Sequence, residues 1–434
     1  MPGRQLSGLD VAFLCLEGET SPMHMGAVVI FSPDEEIPPS RIATLLAERA
    51  ARVPRLRRRA STTVLPLGGA RWIEDPAFDA ERHIQVRELH GQCRDEALAS
   101  HTAQWIEEPL DLRRPPWQAR VVTGLSGGRF ALLLKLHHAL TDGAGAFAVA
   151  AGLLDELPVT ATLMAAAEKV PRPRSPLAAV KGRISEAGEN VGIASAMLRA
   201  ARPYPVSPLA APNSATRRLG FVRLEGTDIR AIRNVHGGTD NDALLAVLSG
   251  ALRRWMSDRG QAAGRPVRAL IPVSTRGRGG GASANQLSGY LCELPVHVED
   301  PVERLTGIRA AMDANKAAGP LAGAGAIPVL AGRIPAQVHR LATRFAGQAA
   351  GLLFDTVITN VPLPKLDLTF DGAPLREVYP LVPLASRHAV GIAAATYRGS
   401  VHIGLQANGA AVADIGSLRD AVLKSAAELY ERSV

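Results

Sequence analysis

The segment that most restricts the fold is the apolar run FALLLKL at residues 130–136. A continuous run of this kind is typical of a central strand that is covered on both faces. After a short loop comes GAGAFAVAAGLL, residues 143–154, which is uncharged and built mainly from short side chains. It predicts a helix packed closely against the sheet, and the pair predicts a layered α/β architecture.

Other elements of the first half follow the same order of strand and helix. GAVVIF, residues 26–31, predicts a buried strand, and Ser40 is predicted to cap a helix that Pro54 ends. Asp95 is predicted to open a second helix that runs to Pro109.

The second half repeats these signals. Thr239 or Asp240 is predicted to cap the helix NDALLAVLSGALRRW, and Asp414 is predicted to start a C-terminal helix. Strands are predicted at VRALIPV, YLCELPVHV and FDTVITN, followed by a hairpin that turns at Arg398 and Gly399.

The length of 434 residues suggests two or three folding units at roughly 150 residues per domain. Between residues 155 and 215 the pattern loosens into proline-rich pieces, VPRPRSP and RPYPVSPLAAP, which predict a linker. We therefore expect an N-terminal domain at residues 1–155, a crossover linker with some helix at 156–215 and a C-terminal domain at 216–434.

Composition places the chain among ordinary globular proteins, because 47% of its residues are hydrophobic and 21% are charged. The three cysteines, Cys15, Cys93 and Cys292, form no CxxC pair, so neither a disulfide framework nor a zinc ribbon is predicted. The sequence shows no secretory signal and no apolar stretch long enough to span a bilayer. These features predict a cytoplasmic protein.

The net charge of +8 and the pI of about 9.8 point to nucleic acid, an anionic membrane surface or a phosphate-rich substrate. Aromatic residues make up only 4% of the chain, which makes nucleic acid the weakest of the three. The densest basic cluster is open to two interpretations, a solvated face or a contact with lipid or phosphate. It contains Arg49, Arg52, Arg55, Arg57, Arg58 and Arg59.

The chemistry is concentrated in HHALTDG, which contains His137, His138, Asp142 and Gly143 between the predicted strand and helix. Neighbouring residues of a strand point to opposite faces, so one histidine is expected to be structural. A neutral imidazole can take a proton from an alcohol and return it to a leaving thiolate. Asp142 is predicted to hold the loop, and Gly143 permits close backbone approach.

Two other interpretations of HHALTDG stay open. A His-His pair at a strand end is often a buried pair whose hydrogen bonds are satisfied inside the protein. The four-residue spacing of His138 and Asp142 also suits a metal, but no third ligand with recognisable spacing stands nearby. No GxSxG motif provides a covalent nucleophile.

HHALTDG resembles the HHxxxDG motif of the bacterial wax ester synthase and acyl-CoA:diacylglycerol acyltransferase family. LSGLDVAFLCLEGETSPMHMGAVVIF resembles its N-terminal signature, and the later blocks NDALLAVLSGALRRW, PVSTR, ANQLSGYLCELPV, TNVPLP and YPLVPL follow in the family's order. The blocks run from Leu6 to about Asn408. HHxxxDG alone is shared with chloramphenicol acetyltransferase-like proteins, so the flanking blocks identify the branch.

The resemblance implies a two-domain chloramphenicol acetyltransferase-like fold, with mixed sheets flanked by helices and an active-site tunnel at the domain interface. It makes His138 the general base and gives His137 and Asp142 orienting roles. The family's Asn-Asp pair corresponds to Asn241 and Asp242 at a predicted helix start.

At that helix start, Asn241 is a candidate contact for the oxyanion, although both residues of the pair equally suit a helix cap. Asn360 is a further candidate for substrate binding, and Arg276 of PVSTR is a candidate partner for Asp142. The family's Pro-Leu-Trp-Glu block reads PPWQ here, and its Asn-Val-Pro-Gly-Pro block reads NVPLP. Both departures bear on acceptor preference more than on the base.

The function implied is direct, acyl-CoA-dependent O-acyl transfer that makes triacylglycerol, wax esters or both, with no cofactor and no metal. The expected location is cytoplasmic, peripheral at the inner membrane surface or on lipid bodies. Two alternatives remain: a condensation-type or polyketide-esterifying transferase with a carrier-protein donor, and a lipid-binding homologue without turnover.

Overall fold

The computed structural model describes residues 4–61, 70–90, 94–141, 143–155, 207–261, 264–274, 287–318 and 353–434. Its α-helices in these ranges are α1 (Gly8–Leu16), α2 (Pro39–Arg52), α3 (Arg94–Glu107), α4 (Gly143–Ala151), α5 (Gly226–His236), α6 (Asp240–Asp258), α7 (Pro301–Ala318) and α8 (Gly416–Glu431). Short 3-10 turns lie at Pro54–Arg57, Ala80–His83 and Ser126–Gly128.

The strands of the described residues come in two groups along the chain. Those of the first half are β1 (Arg4–Gln5), β2 (His24–Phe31), β3 (Arg58–Ser61), β4 (Arg71–Glu74), β5 (Ile84–Glu88), β6 (Trp117–Thr123) and β7 (Phe130–His137). Those of the second half are β8 (Arg217–Glu225), β9 (Val267–Ser274), β10 (Leu287–Leu294), β11 (Thr356–Pro362), β12 (Thr369–Phe370), β13 (Ala373–Leu381), β14 (Val390–Tyr397) and β15 (Ser400–Asn408).

The first sheet has six strands in the order β12-β13-β2-β7-β6-β5. Strand β7 lies between β2 and β6, and all eight of its residues are buried, which confirms the predicted central strand. Its alternate side chains pack on two layers: Leu132 and Leu134 belong to the core that contains α2 and α4, whereas Ala131 and Leu133 pack with α3. His137 therefore ends the most deeply buried of the described strands of this sheet, and His138 follows it.

The second sheet has the order β10-β9-β11-β14-β15-β8, in which β11 is parallel to both of its neighbours. Val401, Ile403 and Leu405 of β15 pack with α6 and α8 in one core. On the opposite face, a Cβ at Gly404 would overlap the carbonyl oxygen of Pro380 in β13. Glycine at this position is what allows the two sheets to approach so closely.

Strands β12 and β13 cross from one half of the chain to the other. They come from the second half, but β13 pairs antiparallel with β2 at the edge of the first sheet. The second half therefore completes the sheet that carries the histidines. The predicted linker at residues 156–215 falls largely outside the described residues, which resume at residue 207.

Helix starts agree with the sequence where a side chain provides the cap. Thr239 accepts a hydrogen bond from the Asp242 main-chain N–H at 3.2 Å and forms a capping box at the start of α6, as predicted. Ser40 does not cap α2: the helix begins at Pro39, with Pro38 before it and no side-chain cap. Proline suits the first helical position because its φ is already helical and the missing N–H needs no partner there.

The later turn predictions agree closely with the structure. Arg398 and Gly399 join β14 to β15 with φ angles of 47° and 84°, the positive values that a two-residue hairpin turn needs. Asp414 lies just before α8, and its Oδ1 accepts a hydrogen bond from the Gly416 N–H at 2.8 Å. None of the helices in the described ranges is both long enough and apolar enough to cross a bilayer.

The predicted arginine cluster is not one solvated face, which corrects the sequence interpretation. Arg55 is 6% exposed and donates to the Thr141 hydroxyl at 2.8 Å. Arg49 is paired with Asp155 at 2.6 Å and lies over the Phe370 ring. Sequence spacing showed the density of charge but not that two of these side chains brace the segments on either side of α4.

The remaining arginines of the cluster lie nearer the surface. Arg58 and Arg59 belong to β3 in a small sheet with the order β1-β4-β3, Arg57 comes directly before it, and Arg52 ends α2. Arg57 is paired with Glu74 at 2.6 Å, and Arg59 lies 3.7 Å from Asp75. Surface ion pairs of this kind contribute about 0–1 kcal/mol to stability, so these charges remain available to an anionic partner.

Candidate active site

His137, the last residue of β7, is fully buried. Its main-chain N–H donates to the Pro116 carbonyl at 2.9 Å, and its Nδ1 accepts from the Ala139 N–H at 3.0 Å. An accepting Nδ1 places the proton of the neutral ring on Nε2. That Nε2 lies 3.3 Å from the Glu17 Oε2. His137 is therefore held on three sides by the framework.

His138 has different surroundings. Its side chain is half-buried, and its main-chain N–H donates to the Met23 carbonyl at 2.7 Å. Its ring is stacked on Phe13 of α1, with centroids 4.1 Å apart and planes 21° apart. Stacking on one face restricts the rotation of the ring. The two histidines thus lie in distinct environments, as alternation along a strand predicts.

Helix α1, which carries Phe13, begins with a complete capping box. The Ser7 hydroxyl accepts from the Asp10 N–H at 3.1 Å, and the Asp10 carboxylate accepts from the Ser7 N–H at 2.9 Å. Two otherwise unpaired groups at the helix start are satisfied in this way. The short sequence SGLD therefore determines where α1 starts and, through it, where Phe13 meets His138.

Glu17, at the end of α1, is the site residue that sequence reasoning missed. Its Oε2 accepts from the Met23 N–H and faces His137 Nε2, while the Met23 carbonyl holds the His138 N–H. One carboxylate therefore contacts one histidine directly and the other through a single residue. Glu17 lies within the N-terminal block LSGLDVAFLCLEGE, but no spacing rule connects it to histidines so distant in the chain.

Behind β7, two further side chains attach the strands to α3. The Lys135 Nζ donates to the carbonyls of Trp105 and Glu108, both at 2.8 Å, and His24 Nε2 bonds the Ile106 carbonyl. These carbonyls end α3, where a cation also complements the helix dipole. His24 lies directly opposite His137 in the β2–β7 register. The end of α3 thereby supports the strand ends that carry the site.

The charge state of this layer follows from its burial. Burial lowers the pKa of Lys135 to about 7, because the charged form loses its hydration. Burial, and then the nearby Lys135 charge, lower the pKa of His24 to about 3. His24 is therefore neutral near physiological pH, with a proton on the nitrogen that meets the Ile106 carbonyl.

The loop after His138 is described only in part. Asp142 and Arg276 lie outside the described residues, and Gly143 is the first residue of α4. Thr141, immediately before Asp142, accepts the hydrogen bond from buried Arg55. The structure thus brings to this loop an arginine that the sequence assigned to a surface cluster.

Asn241 and Asn360 are brought together by the second sheet and its helices. The Asn360 Nδ2 in β11 lies 3.4 Å from the Asn241 Oδ1 in the first turn of α6, and both residues are half-buried. Helix α4, which follows the histidine loop, packs against β11. Two of the predicted substrate-binding residues are therefore neighbours beside the helix that leaves the histidine loop.

Asp242 is 1% exposed, and its Oδ2 accepts from both the N–H and the hydroxyl of Thr239, at 2.9 and 2.8 Å. These contacts occupy that oxygen with the start of α6. Of the Asn-Asp pair, Asn241 is the residue with solvent access.

The PPWQ block is part of the frame around His137. Pro116 supplies the carbonyl that holds the His137 N–H, and Trp117 is 1% exposed, with its indole N–H on the Leu56 carbonyl at 2.8 Å. His83 is stacked on Trp117. Pro116 and Trp117 of this block therefore support the end of β7 from the neighbouring strand β6 and the residue before it.

Two mixed six-stranded sheets, with a histidine pair at the end of a buried central strand, define the class of the protein: a two-domain acyltransferase with a chloramphenicol acetyltransferase-like fold. The wax ester synthase/diacylglycerol acyltransferase from Marinobacter aquaeolei VT8 has this fold with a TM-score of 0.73, is 25% identical, and is matched over 99% of both chains. The trichothecene 15-O-acetyltransferase from Fusarium sporotrichioides shares the fold at 12% identity, with a TM-score of 0.64 over 98% of this chain and 94% of that one.

Residues 6–244 match the wax ester synthase/diacylglycerol acyltransferase catalytic domain, and residues 283–430 match the C-terminal domain of the same family. The chain belongs to this wax ester synthase/diacylglycerol acyltransferase family. A protein of Mycobacterium tuberculosis H37Rv, described as a probable diacylglycerol O-acyltransferase, is 30% identical over 422 residues, which cover 91% of this chain and 92% of that one. The predicted family, fold and acyltransferase activity are confirmed.

Proposed function

We propose that this acyltransferase moves a fatty acyl group from acyl-CoA to the hydroxyl of diacylglycerol or a long-chain alcohol, with His138 as general base. The observation that carries the proposal is the contrast between the histidines. His137 is fully buried among main-chain groups and Glu17, whereas the His138 side chain is half-buried and stacks with one ring face on Phe13. A base must be both held in place and reachable by its substrate.

The protons and bonds of the proposed reaction balance with His138, the acceptor alcohol and acyl-CoA alone. His138 takes the proton of the acceptor hydroxyl while the alcohol oxygen attacks the thioester carbonyl carbon. The tetrahedral intermediate collapses to the ester when the carbon–sulfur bond breaks, and the CoA thiolate takes the proton from the imidazolium. No covalent enzyme intermediate is needed because a thioester is already activated.

The oxyanion of the intermediate needs a hydrogen-bond donor, and we assign this part to Asn241. The amide of Asn360 meets the Asn241 oxygen at 3.4 Å, which orients the Asn241 amide so that its Nδ2 is the group presented to a substrate oxygen. A preorganised donor of this kind stabilises charge as it develops and typically contributes about 3–4 kcal/mol to the transition state.

Glu17 and His137 are positioning residues in this scheme. Glu17 holds the loop that binds the His138 main chain, and His137 anchors the strand end from the opposite side. Asp142 and Gly143 are assigned to the shape of the loop between His138 and α4. The proposed chemistry therefore depends on one base and a set of groups that keep it still.

The donor and the acceptor are tested together with labelled palmitoyl-CoA. We expect triacylglycerol with diacylglycerol as acceptor and wax ester with hexadecanol, in amounts that increase with enzyme concentration. Palmitoyl carried on an acyl carrier protein is expected to give no product above the enzyme-free blank. Product from the carrier donor but not from the CoA donor would support the condensation-type alternative, and no product from either would support the lipid-binding alternative.

The acceptors are nearly insoluble, so we place the protein at a membrane or lipid-droplet surface through interfacial contact. Arg57, Arg58 and Arg59 support this placement because they lie together at the small sheet, outside the core. Each basic residue near an anionic surface contributes about 1 kcal/mol, less what it already gains from its ion pair.

Changing Arg57, Arg58 and Arg59 together to Gln is expected to reduce partition onto anionic liposomes at low salt by roughly tenfold. Arg55 is left intact because it is buried. The matched control is Arg82, Arg113 and Arg114 changed to Gln, which removes the same charge from exposed arginines that are also paired with carboxylates. Flotation with molar salt should abolish binding of the wild type. Binding that survives both the triple change and high salt would rule out the arginines as the attachment.

A further inference from the structure

The loop between α1 and β2, residues 17–23, holds both histidines. Glu17 lies at one end of it and Met23 at the other, and their contacts with His137 and His138 are described above. Within the loop, Gly18 and Ser21 exchange two main-chain hydrogen bonds of 3.4 and 3.0 Å. Gly18, Glu19 and Thr20 are nevertheless exposed, so this part of the loop depends on hydrogen bonds to keep its position.

Arg217 forms a hydrogen bond to this loop from the second half of the chain. It is the first residue of β8, in the second half of the chain, and is only 1% exposed. One guanidinium nitrogen donates to the Thr20 carbonyl at 2.8 Å, and the other donates to the carbonyls of Ser214 and Thr216 at 2.5 and 3.1 Å. Its own main-chain N–H donates to the Glu107 carboxylate at 2.6 Å. The guanidinium thus connects the segment before β8 to the loop.

Burying an arginine in this way is costly. Burial lowers the pKa of Arg217, and the Glu107 carboxylate acts in the opposite direction, but a guanidinium remains charged in proteins. The desolvation penalty of a buried ion is several kcal/mol and is offset only by well-made hydrogen bonds. Arg217 directs these bonds to main-chain carbonyls, one of which belongs to an exposed loop. A role in holding that loop accounts for the placement.

We propose that Arg217 is a positioning residue for the acyl transfer: it holds the loop of residues 17–23 so that Glu17 and Met23 keep His137 and His138 in their catalytic positions. The geometry of the base then depends on the docking of β8 beside the end of α3. The inference rests on the proposed role of His138 as the base.

Arg304 provides a matched control. It is 2% exposed, and one of its guanidinium nitrogens donates to two main-chain carbonyls, those of Val298 and Glu299, at 3.1 and 2.6 Å. It lies in α7, whose apolar residues belong to the core of the second half. Arg304 therefore resembles Arg217 in burial and in donating to main-chain carbonyls, and it also lies 3.5 Å from the Glu428 carboxylate. These partners all belong to the second half of the chain, away from the histidine loop.

The test compares Arg217→Lys with Arg304→Lys. A lysine ammonium is a single nitrogen on an unbranched stem, so it cannot occupy at once the two positions that the guanidinium nitrogens hold at Thr20 and at Ser214 and Thr216. In Arg304→Lys it likewise cannot meet both the main-chain carbonyls and Glu428, so both changes are expected to lower Tm. Only Arg217→Lys is expected to lower kcat, by about ten- to a hundredfold, as a small displacement of a catalytic group does. The KM values for palmitoyl-CoA and for the acceptor should stay within about twofold of wild type, because Arg217 is 1% exposed and is therefore out of a substrate's reach.

Hydrogen exchange provides a readout that does not depend on turnover. The Met23 amide donates to Glu17 and the His138 amide donates to Met23. Both amides are expected to exchange faster in Arg217→Lys and at the wild-type rate in Arg304→Lys. If Arg217→Lys does not fold, Glu107→Ala, which removes the carboxylate that holds the Arg217 main chain, should give the same selective loss to a smaller degree.

A normal kcat in a folded Arg217→Lys enzyme, or an equal loss of kcat in both lysine variants, would overturn the inference. Unchanged exchange at Met23 and His138 would overturn it as well. These outcomes differ from failure of the proposed function, which would appear as activity retained by His138→Ala while the exchange result for Arg217→Lys still stood.

Discussion

His138→Ala is expected to lower the rate of ester formation from palmitoyl-CoA by about a hundred- to ten-thousandfold, the contribution of a positioned general base. The alcohol would then have to lose its proton to water, without an oriented acceptor. The loss should appear in kcat, because the imidazole accepts the proton in the transition state and does not contribute to binding of the substrates in the ground state. Single-turnover measurement with diacylglycerol separates this chemical step from product release.

The fold should tolerate this change. The main-chain bond from His138 to Met23 is retained, and the loss of the stacked pair with Phe13 costs about 1 kcal/mol. His90→Ala is the matched control, since the His90 side chain is 80% exposed and should keep full activity. A His138→Ala enzyme with most of its activity and a normal Tm would show that another group is the base.

Glu17→Gln is expected to lower kcat by roughly ten- to a hundredfold through misplacement of the base. The change keeps the size of the side chain, and the amide oxygen can still accept from the Met23 N–H. Both contacts of Glu17 use its Oε2, however, and a neutral amide oxygen accepts more weakly than a carboxylate oxygen. His137 Nε2, which carries the proton because Nδ1 accepts from Ala139, would lose the negative charge that lies 3.3 Å from it.

A hydrogen bond to a charged acceptor contributes about 1.5–3 kcal/mol and one to a neutral acceptor about 1 kcal/mol, so the Tm of Glu17→Gln should fall together with its kcat. Glu19→Gln is the matched control, because Glu19 lies in the same loop but is exposed. The two variants lose the same charge within two residues of each other. Equal kcat and Tm in both would mean that the Glu17 carboxylate does not hold His137.

The histidine site shows how far sequence patterns reach. The apolar run before His137 predicted the buried strand, and the alternation rule predicted that the two histidines have different surroundings; both features are encoded within a few residues. The contacts of Glu17, Arg55 and Arg217 with the site were not predicted, because each of these residues comes from a distant part of the chain. A carboxylate that ends a helix or an arginine beside a proline has the same local pattern whether it faces water or a buried histidine.

The arginine cluster shows the same limit of sequence patterns, here for residues that were predicted to lie at the surface and are buried. Six arginines close together in the sequence indicated a continuous basic surface, but Arg49 and Arg55 turn inward to Asp155 and Thr141. Local charge density determines how many cations a segment carries. Which of them are buried depends on whether the rest of the chain supplies a carboxylate or a hydroxyl within hydrogen-bond reach.

The sequence by itself determined the class of the fold, most of the helices and strands with strong periodicity, the cap at Thr239, and the family. These depend on interactions between residues a few positions apart, so they leave a pattern along the chain. Only the tertiary structure decided that β13 completes the first sheet, that Glu17 reaches His137, and that Arg217 reaches the loop before β2. The energy of these contacts depends on which distant segments become neighbours, and local periodicity carries no information about that choice.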